Sequence, residues 1–150
     1  IEELRTIEGI DDKDWFGDDD NPGLRDLMTC WGDGKININT ASPEVLKCIP
    51  DVHDNVVEGI IAYRAGSDGE LYTADDQDFP DLGAVANLAG ISGQDMQPLV
   101  QYCKVDSQFF TIHGIATFRQ GKVRATCVAT VVMNPPYATV IKWREEFLGS

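Results

Sequence analysis

Gly34-Lys35-Ile36-Asn37-Ile38-Asn39-Thr40-Ala41-Ser42-Pro43-Glu44-Val45-Leu46 decides how the rest of this 150-residue chain is read. Ser42-Pro43-Glu44 is a helix start. It offers a hydroxyl to cap, a proline whose missing N–H is harmless at the first helical position, and a carboxylate facing the positive helix end. Asn37 and Asn39, with Thr40, suit capping and turn formation ahead of it. Val45, Leu46 and Ile49 then share one face. Pro50-Asp51-Val52-His53 is a turn, after which Val56, Val57, Ile60, Ile61 and Arg64 recur at helical spacing, with Gly66 as the stop. Either His53 or Asp54 opens this second helix. The stretch predicts two short helices joined by a tight bend.

The bend recurs along the chain. Leu4-x-x-Ile7-x-Gly9-Ile10, Leu46-x-x-Ile49-x-Asp51-Val52 and Val85-x-x-Leu88-x-Gly90-Ile91 share one pattern, at spacings of 42 and 39 residues. Each reads as a short helix stopped by a left-handed residue, then a turn that buries one apolar side chain before another helix starts. The third copy predicts a helix from Leu82 to Leu88. After Gly90-Ile91-Ser92-Gly93 a further helix follows, from about Gln94 to Tyr102. Ser67 to Asp78, between the second and third copies, is a polar acidic loop.

After Asp106 the period falls to 2. Phe110, Ile112, Gly114, Ala116 and Phe118 alternate, as do Val123, Ala125, Cys127, Ala129, Val131 and Met133, with a hairpin expected at Arg119-Gln120-Gly121-Lys122. Asn134-Pro135-Pro136 breaks the second run. A third runs from Thr139 to Trp143, with Ile141 and Trp143 expected to face inward. The pattern predicts an α+β chain: an acidic helical domain over 1–105, then an antiparallel sheet of about three strands over 106–150. Three strands with one apolar face need a covering element, from these helices or from a helix upstream of Ile1.

Charge narrows the function. Twelve basic against 25 acidic residues give a net −13. Up to Asp106 the balance is −16, and from Ser107 onward it is +3. So acidic a surface repels phosphate backbones and anionic headgroups. No run of apolar residues is long enough to span a membrane. Cys30, Cys48, Cys103 and Cys127 form no C-x-x-C pair; their even number permits disulfides without requiring them, and Cys127, in an apolar strand, is expected as a small buried hydrophobe.

The stretch from Gly34 to Leu46, continued to Ile60-Ile61-Ala62-Tyr63-Arg64, resembles the helix-hairpin-helix element shared by competence DNA-uptake proteins and type II secretion pseudopilins. DNA-binding versions place two glycines in the bend, whose N–H groups hold a phosphate. Here Asp51-Val52-His53 lacks both. Glu3-Leu4-Arg5-Thr6-Ile7-Glu8-Gly9-Ile10 with Trp15-Phe16-Gly17 upstream, and Asp106-Ser107-Gln108-Phe109-Phe110-Thr111-Ile112 downstream, narrow the resemblance to the general secretion pathway protein K family. It implies a helical SAM-like (helix-hairpin-helix) domain joined to a pilin-like antiparallel sheet. It also implies a non-catalytic minor pseudopilin that caps the tip of the periplasmic pseudopilus and binds other minor pseudopilins. Asn37, Asn39, Thr40, Ser42 and Leu46 carry the motif. The same resemblance implies a periplasm-facing position, anchored in the bacterial inner membrane through an N-terminal helix not contained in this chain. The alternative is a competence-type nucleic-acid-binding module.

Two acidic clusters are calcium candidates, since calcium takes six to eight oxygens and a carboxylate-rich loop can wrap it. The favoured one is Asp68, Glu70, Asp75, Asp76 and Asp78, where Gly66 and Gly69 allow tight wrapping; the weaker includes Asp18 and Asp20. Neither follows the EF-hand order, and the family resemblance implies calcium in the helical domain. No enzyme is expected. His53 lies in a bend and His113 alternates outward on a strand, where neighbours such as Ser107 and Asp106 offer no triad geometry. Trp15, Trp31 and Trp143 read as core or interface anchors.

Overall fold

The computed structural model describes residues 1–88, 90–118 and 123–149. The chain is mixed helix and strand and divides into two compact units, Ile1–Asp106 and Ser107–Ser150. The first unit contains α1 (Asp12–Phe16), α2 (Leu24–Leu27), α3 (Pro43–Lys47), α4 (Asp54–Arg64) and α5 (Met96–Tyr102). The two-residue strand β1 (Ile36–Asn37) pairs in parallel with β2 (Cys103–Lys104), joining the start of the motif to the end of α5. A strand this short carries no period, and the sequence gives no sign of it.

Ser42 caps α3 by accepting from the Val45 N–H, and Pro43 takes the first helical position. His53 is the N-cap residue of α4 and contributes no side-chain cap. Ala65 ends α4, and Gly66 follows in the left-handed region at φ 61°. The core gathers Ile38, Leu46, Ile49, Val56, Val57, Ile60, Phe79, Val85, Leu99 and Cys103. Phe79 stacks on Tyr63 with ring centroids 4.2 Å apart. Burying a side chain of this size contributes about 1.5–3 kcal/mol, so this cluster is what holds α3, α4 and α5 together.

All three repeat copies make the same bend. Gly9, Asp51 and Gly90 have φ of 99°, 61° and 82°. In each, two successive i→i+3 hydrogen bonds lead into it: Ile7 N to Leu4 O and Ile10 N to Ile7 O, then the equivalents at Leu46-Ile49-Val52 and Val85-Leu88-Ile91. A helix follows each bend: α1, α4 and α5. The first and third copies are not the α-helices that the spacing predicts but 3-10 segments, Glu2–Thr6 and Leu82–Asn87. Pieces of five or six residues often take i→i+3 bonding. The second and third copies pack on the shared core, whereas Ile7 of the first is 51% exposed.

The second unit is an antiparallel sheet in the order β3 (Phe109–Phe118), β4 (Val123–Asn134), β5 (Tyr137–Gly149). The hairpin expected at 119–122 lies outside the described residues. β5 runs well beyond the predicted Thr139 to Trp143, and its register against β4 shifts between Thr130 and Val131. Phe110, Ile112, Gly114 and Ala116 pair with Val131, Ala129, Cys127 and Ala125, so one face is apolar as the alternation predicts. Burial follows only in part: Ala129 and Val131 in the middle of β4 are buried. Ile141 and Trp143, expected inward, are 39% and 54% exposed. Cys127, expected buried, is half-buried. Alternation fixes which side chains share a face; it does not supply a layer to cover them.

Candidate functional site

The motif residues play different parts. Asn37 shapes the turn: its Oδ1 accepts from the Asn39 N–H at 2.9 Å, and its carbonyl accepts from Thr40 and Ala41. Asn39, expected in the same turn-forming role, instead ties distant segments together. Its Nδ2 donates to the Phe79 and Val105 carbonyls, both at 3.0 Å, while its Oδ1 accepts from the Phe79 N–H at 2.8 Å. Thr40 is exposed, and Leu46 is fully buried in the core. Arg64, at the end of α4, is 4% exposed and donates through Nη1 to the Ala41 carbonyl at 2.6 Å. Burial pushes its guanidinium pKa down, while Tyr72, Asp76 and Asp78 favour the charge.

The second and third bends lie side by side. His53 Nδ1 is 3.2 Å from Asp95 Oδ1, and Asn55 Nδ2 donates to the Gly90 carbonyl at 3.4 Å. The Leu88 and Ile91 side chains lie against α4 beside Gly59. Gly90-Ile91-Ser92-Gly93 has the glycines of a phosphate-holding bend. Its Ser92 N–H and hydroxyl both donate to Asp95 Oδ2, at 2.7 and 2.6 Å. These bonds, the hydroxyl foremost, hold the Asp95 carboxyl below its ordinary pKa. The anion for this bend is thus built into the chain. The second bend exposes Asp51 in the left-handed conformation.

The calcium candidates are organised as turns. Asp75 Oδ2 accepts from the Ser67 N–H, the Ser67 hydroxyl and the Asp68 N–H at 2.7, 2.6 and 3.1 Å, and its Oδ1 accepts from the Thr73 hydroxyl. Asp76 accepts from the Tyr72 and Thr73 N–H groups, and Asp68 from Glu70 N–H. A Cβ at Gly66 would collide with the Asp75 carbonyl, so only glycine lets the loop close back on α4. At the other cluster Asp18 caps its own turn, accepting from the Asp20 and Asn21 N–H groups, and pairs with Lys13 at 3.0 Å. Among the described residues no three Asp, Glu, His or Cys side chains come together as a group able to hold a metal ion. The arrangement does not fit a preformed cage: the carboxylates of Asp68, Asp75 and Asp76 already accept hydrogen bonds within the loop.

No family model, curated protein or solved structure matches this chain. Its site chemistry therefore rests on its own geometry. His113 stands exposed on β3. Cys103 is buried, and burial pushes its thiol up to about 11, which leaves it un-ionised. Cys30, Cys48 and Cys127 are free thiols as well. Val57, Ile61 and Ala65 floor a groove of about 590 Å³ rimmed by Lys47, Glu58 and Asp68, an apolar strip with mixed charge at its edges. Among the described residues no helix is long and apolar enough to cross a membrane.

Proposed function

We propose that this chain is the periplasm-facing, non-catalytic part of a minor pseudopilin of the general secretion pathway protein K type, in a type II protein secretion system. It acts through shape. The helix-hairpin-helix unit caps the tip of the pseudopilus, and the pilin-like sheet docks to other minor pseudopilins. In this reading an N-terminal helix outside the chain anchors the protein in the bacterial inner membrane. The observation that carries the reading is the chemistry of the two adjacent bends. Asp51 stands where a phosphate would approach one, and Asp95 fills the Ser92 N–H and hydroxyl of the other. A bend that supplies its own anion has no use for a nucleic-acid phosphate, and a −16 segment repels one. Asn39 supports the same reading, because it spends the signature motif on holding the unit rigid.

The test is to mix the chain with the purified soluble parts of the other minor pseudopilins, and separately with a labelled DNA duplex at low salt. Co-elution with the pseudopilins and no gel shift is the expected result. A shift that fades as salt rises would move the chain to the competence-type nucleic-acid module. Failure to co-elute, with no shift, would remove the pseudopilin reading without replacing it.

A further inference from the structure

We draw no further inference here: the strongest candidate, the exposed apolar face of the three-stranded sheet around Ile112 and Trp143, carries nothing because nothing in the structure shows what covers it.

Discussion

Leu46 and Ile112 are both aliphatic residues in regular elements, yet Leu46 is fully buried and Ile112 is 53% exposed. The difference extends to the units they belong to. In the helical unit α3, α4 and α5, none longer than 11 residues, converge on one cluster from Ile38 to Cys103. In the sheet the strands are long and well paired, but Phe110, Ile112, Ile115, Phe118, Val140 and Trp143 all remain exposed. The first unit is held by tertiary burial and the second by its backbone ladder. A ladder aligns apolar side chains without by itself burying them, so much of the sheet's apolar surface stays exposed.

The largest effect expected from breaking this contrast comes at Leu46. Leu46→Ala should destabilise the helical unit by about 3 kcal/mol, within the range for emptied core sites. Ile112→Ala should change stability by no more than about 0.5 kcal/mol, as for other surface substitutions. Urea denaturation followed by far-UV circular dichroism measures both. A loss at Ile112 matching that at Leu46 would mean that the face is covered in solution.

Next in size is the asparagine pair. Asn39→Ala removes three hydrogen bonds that join the motif to Phe79 and Val105 and should cost about 1–3 kcal/mol. Asn37→Ala removes, among its interactions, the bond to the Asn39 N–H and should also destabilise the unit. A loss below about 0.5 kcal/mol at Asn39 in the same urea experiment would refute its role as a long-range tie.

That pair also marks how far sequence reading reaches. The Ser42 cap, the left-handed residues at Gly9, Asp51 and Gly90, and the two-residue period after Asp106 were all legible, because each is a local preference of the backbone. The bonds of Asn39 to residues 40 and 66 positions away left no trace in spacing. Neither did the parallel pairing of Ile36 with Cys103, since two residues cannot display a period. The 3-10 form of the first and third copies escaped for a related reason: apolar spacing over so short a piece does not separate i→i+3 from i→i+4 bonding. In the acidic loop, composition disclosed the carboxylates but not that Asp68, Asp75 and Asp76 already serve as acceptors of its turns.

The smallest expected effect concerns that loop and separates its two uses of Asp75. The Ser67 hydroxyl first, then the Thr73 hydroxyl and the Ser67 and Asp68 N–H groups, hold its carboxyl well below the ordinary carboxylate range. A carboxyl depressed on folding contributes stability that is complete above its unfolded value, about 4, and is lost as pH falls toward the folded value. Melting temperature should therefore drop on acidification below about pH 4 more steeply in the parent than in Asp75→Asn, whose lower stability at neutral pH should converge on that of the parent. Calcium would have to take the same oxygens from Ser67 and Thr73. If the loop binds the ion by rearranging, millimolar calcium raises the parent's melting temperature above its value in chelator, and Asp75→Asn abolishes the rise. A rise that survives Asp75→Asn would place the ion elsewhere, with Asp18 and Asp20 the next residues to replace. Identical melts with calcium and with chelator would leave Asp75 as a turn anchor alone, and the helical unit would then need no ion to close its longest acidic loop.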